Sequence, residues 1–139
     1  MSVLAMCEGQ PATVHLQASV ADSIRMMLKK GVGAVAVVDG ENKVVGVFSE
    51  RDVMKKLALS GRDPETVPVA ELMTSPVLSA HENTPEQEAL EMMLGHHIRH
   101  LPVLDKEGCL LGMLSIRNLL EARMKELYMQ LEAASRGRV

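Results

Sequence analysis

The chain repeats itself at an offset of 66 residues, and this constrains its fold more than any other feature. Asp39 aligns with Asp105, Gly46 with Gly112, Ser49 with Ser115 and Arg51 with Arg117. The same offset pairs Met26-Met27-Leu28 with Met92-Met93-Leu94, and no gap is needed from Val3/Val69 through Ser49/Ser115. A unit of this length is too long for a solenoid repeat, and two copies are too few for an array. The pattern predicts two similar halves packed about a pseudo-two-fold axis, with the cleft between them as the first place to seek a ligand.

The 139 residues suffice for one compact unit with a real core. Phe48 and Tyr128 are the only aromatic residues, so the core must be built from aliphatic side chains and some of the eleven Met. A net charge of −3 and the lack of stacking aromatics argue against a nucleic-acid partner. No run of 18 or more apolar residues is present to span a membrane, and the first residues lack the basic and apolar regions of a signal peptide. The expected location is therefore cytoplasmic. Cys7 and Cys109 read as reduced, small apolar residues in that compartment.

Each repeat reads as strand, helix, strand, strand, helix. In the first, a short strand near Thr13-Val14 precedes a helix opened by the Ser19-Val20-Ala21-Asp22 capping box. Ile24, Met27 and Leu28 follow at helical spacing, and Gly31 or Gly33 ends the helix. Ala34 to Val38 is a buried strand, Asp39 to Asn42 a turn, and Val44 to Phe48 the next strand. Ser49-Glu50-Arg51-Asp52 opens a second helix through Leu57. In the second repeat, the strand is expected near Val77-Leu78-Ser79. Thr84-Pro85-Glu86-Gln87 caps the helix, with Pro85 at its first position and a start one residue early in the repeat register. Paired strands at 101–104 and 110–114 flank a turn at Asp105-Lys106-Glu107-Gly108.

The division expected is 1–60 for the first repeat with its entry segment, 61–68 for a polar linker, and 69–122 for the second repeat. Residues 123–139 form a helical extension and a frayed tail from Ser135. Along the last helix Ile116, Leu120, Met124, Leu127 and Leu131 make an apolar seam that either packs on its own domain or forms a homodimer contact.

Two such repeats, each with an apolar strand, Asp at the turn and then Gly-h-h-Ser-x-x-Asp (h, apolar), resemble a tandem pair of cystathionine-β-synthase (CBS) domains, a Bateman module. The stretches that carry the resemblance are Val35 to Asp39 with Gly46 to Asp52, and Ile98 to Asp105 with Gly112 to Asn118. Val69-Ala70-Glu71-Leu72-Met73-Thr74 resembles the family's entry segment. The resemblance covers residues 3 to 122 and implies an α+β fold of two β-α-β-β-α repeats. It also implies a regulatory module that binds an adenosine compound between the repeats, among them AMP, ADP, ATP, NAD and S-adenosylmethionine, and signals to an unidentified regulated protein.

By resemblance, the ligand site comprises Thr13, Val14, Gly33, Ala34, Val35, Ser49, Arg51, Asp52, Arg99 and His100. Ser49 would contact phosphate, and Asp52 would accept hydrogen bonds from the ribose hydroxyls. A carboxylate can accept from two vicinal hydroxyls, and such charge-assisted bonds are strong. The competing reading of Ser49-x-x-Asp52 is a helix cap that needs no ligand. A second, weaker site comprises Ser79, Leu101, Ser115, Arg117 and Asn118. There Asn118 replaces the family's Asp, which removes a charge and an acceptor. The basic Arg99-His100 neighbours the Asp52 site, whereas the uncharged Gly33-Ala34 neighbours the Asn118 site.

The cluster His96, His97 and His100 lacks carboxylate or thiolate partners at ligand spacing, so no metal is expected. No nucleophile–base pair, P-loop or dinucleotide glycine fingerprint is present, so no catalytic cofactor or enzyme activity is expected. The rival readings are a dimeric interaction scaffold independent of nucleotide and, more weakly, a small enzyme acting on nucleotides.

Overall fold

A computed structural model of the chain describes residues 2–7 and 10–137. The elements run α1 (Val3–Met6), β1 (Thr13–His15), α2 (Val20–Lys30), β2 (Ala34–Val38), β3 (Val44–Ser49) and α3 (Glu50–Asp52). A π-helical turn, Val53–Leu57, continues α3. Then follow α4 (Val69–Leu72), β4 (Ala80–His81), α5 (Glu86–Gly95), β5 (His100–Leu104), β6 (Leu110–Ser115) and α6 (Ile116–Arg136).

The strands form two three-stranded sheets, β1-β2-β3 and β4-β5-β6, each with one parallel and one antiparallel pair. Lys43 bridges to Cys109, and the Val44 amide donates to the Gly108 carbonyl at 3.0 Å, tying the sheets together at the starts of β3 and β6. Both hairpins carry a register shift at the same place, between Val37 and Val38 and between Val103 and Leu104. Asp39 accepts from the amides of Glu41 and Lys43, and Asp105 from those of Glu107 and Cys109, so one carboxylate organises each turn.

The helix signals act as local chemistry requires. Ser19 caps α2 by accepting from the Asp22 amide at 3.0 Å. Gly31 ends that helix at φ 66°, a left-handed conformation that glycine adopts without a Cβ penalty. In the second repeat two expectations are corrected. Pro85 is the N-cap rather than the first helical residue, and α5 starts at Glu86, in register with Val20 of α2. Thr84 instead accepts from the His81 amide through its hydroxyl.

The strand expected at Val77-Leu78-Ser79 lies later, at Ala80–His81. In the first repeat the Ala36 amide donates to the Ala12 carbonyl at 3.0 Å. Its counterpart is Pro102, which has no N–H to donate. The parallel ladder therefore begins only at Ala80↔Val103, one pair later than Thr13↔Ala36 in the first repeat.

The short entry helices cross over. Val69 and Leu72 of α4, with Val67 before it, are buried in the first repeat's core among Val20, Met27, Val35, Val37 and Phe48. Val3 and Met6 of α1 are buried in the second repeat's core with Met93, Leu101, Val103 and Leu114. Two glycines make this close approach possible. A Cβ at Gly46 would lie 2.3 Å from Met73 Sδ, and one at Gly112 would lie 3.0 Å from Cys7 Sγ. Met73 and Cys7 are themselves 66 residues apart, so the contact is repeated. The polar linker is ordered by the same exchange: Val20 and Ala21 donate to the carbonyls of Val67 and Pro64.

Candidate functional site

Each β-hairpin delivers its last strand directly into a helix through a capping box. Ser49 caps α3, and Ser115 caps α6 with Asn118. The Ser49 amide donates to Asp52 Oδ2 at 2.9 Å, and the Ser49 hydroxyl lies 3.2 Å from the same oxygen. The Asp52 side chain is thereby folded back to the corner, only 5% exposed. Its other oxygen, Oδ1, accepts from the Thr74 hydroxyl at 2.9 Å and pairs with Lys56 Nζ at 3.0 Å. Lys56 Nζ also donates to the carbonyls of Leu72 and Met73. Thr74 is held over the site by a two-way backbone bridge with Val47, at 2.8 and 3.1 Å. The carboxylate thus has a donor for each of its roughly four lone-pair directions without any ligand.

This corner opens onto a cleft of about 440 Å³ between the repeats. Its walls are Ser49 to Asp52 with Val47 and Met54, Thr74 with Pro76 to Leu78, His97 to His100, and Gly33. Of the residues expected from sequence, Gly33, Ser49, Arg51, Asp52, Arg99 and His100 come together here. The others do not. Val14 and Val35 are buried in the first core, Thr13 is an exposed residue of β1, and Ala34 lines a different cleft. The reason is the pseudo-symmetry: the segment before the second repeat's first strand, 76–78, covers the first repeat's Ser-x-x-Asp corner.

The second cleft, about 190 Å³, obeys the same rule with the repeats exchanged. It gathers Ser115, Arg117 and Asn118 with Gln10 to Ala12, Gly31 to Ala34, Met113 and His100. Ser79 lies outside it, and Leu101 is fully buried in the second core. Asn118 Oδ1 accepts from the Ser115 amide at 2.9 Å, as Asp52 does at its own corner. The position 66 residues after Lys56 is Ala122, so a neutral Asn faces a neutral neighbour.

Gly33 and His100 are common to both clefts and form their shared wall. A Cβ at position 33 would meet His100 Cε1 at 3.2 Å and Glu50 Oε1 at 3.3 Å, so glycine makes room for the two side chains. Burial pushes the His100 imidazole below its ordinary value, with Arg99 acting in the same direction and Glu50 opposing. The Arg51 guanidinium crosses between the repeats and donates to the His97 carbonyl at 2.5 Å. His97 itself sits at φ 55°, turning the chain from α5 into β5.

Val47, Glu50, Met54, Thr74, Pro76, Val77, Leu78, His97 and Ile98 also line this cleft, although the sequence did not mark them as site residues. The signal for 76–78 was the 66-residue offset, which pairs them with Gln10 to Ala12 on the second cleft.

A mixed α+β fold with two three-stranded sheets, a helix-capping Ser-x-x-Asp corner in one half and its Ser-x-x-Asn copy in the other defines a tandem two-repeat module. The chain belongs to the CBS domain family, whose model matches residues 5–59 and 69–125. It is similar to the uncharacterized 17.7 kDa protein in the bps2 3′ region of Acidianus ambivalens, with 38% identity over 112 residues, 81% of this chain and 66% of the relative. A solved protein with CBS domains from Burkholderia ambifaria superposes with a TM-score of 0.80 at 34% identity, covering 90% of this chain and 95% of its own. A CBS domain protein from Pyrobaculum aerophilum, solved in complex with AMP, has a TM-score of 0.76 at 28% identity over 85% of this chain and 89% of its own. The chain spans 66%, 48% and 24% of the length of three curated relatives it matches.

Proposed function

We propose that the chain is a non-catalytic regulatory module that binds an adenosine compound in the cleft at Asp52 and passes its ligand state to a partner protein. The observation that carries this reading is the 440 Å³ inter-repeat cleft, which sets the Asp52 carboxylate near basic residues. Ribose hydroxyls would exchange with Thr74 and Lys56 at Asp52. A phosphate or other anion would face Ser49, Arg51 and Arg99-His100. The relative from Pyrobaculum aerophilum, complexed with AMP, supports an adenosyl ligand.

The module would act as a homodimer. On α6, Leu120, Met124, Leu127 and Leu131 are between 50 and 70% exposed, and Met54 near α3 is 76% exposed. One copy leaves this stripe uncovered. Sedimentation giving a monomer at tens of micromolar would remove this element.

A second reading, a nucleotide-independent scaffold, draws support from the Asp52 carboxylate, whose hydrogen bonds are complete without ligand. A thermal-shift panel of AMP, ADP, ATP, NAD, NADH and S-adenosylmethionine separates the two. A ligand at 100 times its Kd raises stability by about 2.7 kcal/mol. No shift with any adenosine compound would leave the scaffold.

A further inference from the structure

We infer that Glu50 is a specificity residue of the Asp52 cleft, limiting the adenosyl ligand to a tail with one anionic group and rejecting di- and triphosphates. This rests on the adenosyl reading above. The repeat supplies an internal control. At the corner after β3 the Glu50 amide donates to the Gly33 carbonyl at 3.0 Å, and after β6 the Ile116 amide donates to the Arg99 carbonyl at 2.9 Å. The two residues do the same backbone work 66 positions apart, so the corner has no need of a carboxylate at position 50.

The Glu50 side chain nevertheless faces the ligand space. It is exposed, lines the cleft, and converges with the His100 ring on the bare Cα of Gly33. Among the described residues its carboxylate has no hydrogen-bond or ion-pair partner. The same is true of the Arg99 guanidinium on the same cleft. The other two cations are already engaged, Arg51 with the His97 carbonyl and Lys56 with Asp52.

The charges around the ligand space are therefore three cations, Arg51, Lys56 and Arg99, against two carboxylates, Glu50 and Asp52. One positive charge is left over. One anionic group on the adenosine tail, a phosphate or a carboxylate, can be served by that cationic excess. A second or third phosphate exceeds it and meets Glu50, a like charge that discriminates by repulsion. AMP carries its one anionic group as a phosphate and S-adenosylmethionine as a carboxylate beside an ammonium and a sulfonium, and their separate titrations tell which source fits.

The test is calorimetric titration of the whole chain with adenosine, AMP, ADP, ATP and S-adenosylmethionine, in the wild type, Glu50→Gln and Glu50→Ile. Glu50→Ile copies the second repeat, and unchanged melting temperatures confirm that the variants fold. The wild type is expected to bind AMP or S-adenosylmethionine at least about tenfold more tightly than ATP. Both variants should gain ATP affinity by about five- to tenfold while adenosine stays within about twofold. Equal wild-type affinity for AMP and ATP, or an ATP affinity indifferent to Glu50, would overturn the inference while adenosine binding kept the adenosyl reading intact. No binding of any of the five compounds would overturn both.

Discussion

The two Ser-x-x-(Asp/Asn) corners share their backbone and differ in charge. At the first, Asp52 is balanced by Lys56 and Thr74. At the second, Asn118 makes the same capping bonds, and Ala122 stands where the lysine would be. The cap alone needs only an oxygen at this position. The carboxylate of Asp52 exceeds that need, and its burial required a cation beside it. What the fold demands of the corner is thus visible in the second repeat, and what is added to it is visible in the first.

The largest effect that would sharpen this comparison comes from Asp52. Asp52→Ala removes a cap, a Thr74 bond and the Lys56 partner, and should destabilise the chain by about 2–3 kcal/mol. It should weaken adenosyl binding by about 1.5–3 kcal/mol. Asn118→Ala should cost only its cap, about 1 kcal/mol, and change binding much less. Urea denaturation and calorimetry measure both, and equal losses at the two corners would break the proposed asymmetry. A double-mutant cycle goes further. Asp52→Asn with Lys56→Ala recreates the neutral second corner, and should be less destabilised than the sum of its single variants. Strict additivity would mean that Lys56 is not the partner that makes Asp52 tolerable.

The next contrast is between the glycines under the crossed entry segments. Gly46→Ala meets Met73 Sδ at 2.3 Å and Cγ at 2.8 Å, whereas Gly112→Ala meets Cys7 Sγ at 3.0 Å. Overpacking should cost about 1–3 kcal/mol at position 46 and less at position 112. The reverse order in denaturant midpoints would mean that the two halves are not packed alike.

A smaller effect separates the two β-strands that start at the shared wall. Ala34 cannot titrate, but His100 is held below its ordinary value of 6.5, chiefly by burial. The folded state then resists protonation that the unfolded state accepts. Stability should be complete above about pH 6.5 and fall as the pH drops toward the lowered folded value. His100→Gln should flatten that slope in melting temperatures across pH 5 to 8. An unchanged slope would move the effect to another group.

The smallest contrast is between the two thiols. Burial pushes Cys7 up to about 11, and it donates to the Val3 carbonyl at 3.4 Å. Iodoacetamide at pH 8 should therefore modify Cys109 first, since the thiolate is the nucleophile. Faster reaction at Cys7 would indicate that α1 leaves its site.

The sequence alone determined the duplication, the hairpins and the helix caps, because these are local. Ser19, Ser49 and Ser115 need only the amide three residues on. Gly31 needs only its own φ. The apolar runs of β2 and β5 need only to be buried. The Ser-x-x-Asp corner was legible as a candidate site for the same reason, although its capping role and its ligand role look alike in one dimension. The tertiary structure decided which half supplies each missing wall. Val3 and Val69 are equivalent by sequence, and either could have covered its own sheet. The structure exchanges them, so the first corner faces residues 74–78 and 97–100 from the other repeat rather than Thr13, Val14 and Val35 from its own. Pro102 removes one amide and starts β4 one residue late, an effect that becomes visible only once its strand partner is known. Lys56, Thr74 and Asp52 are spread over 22 residues of sequence, and only the packing of α4 against the first core brings them onto one carboxylate.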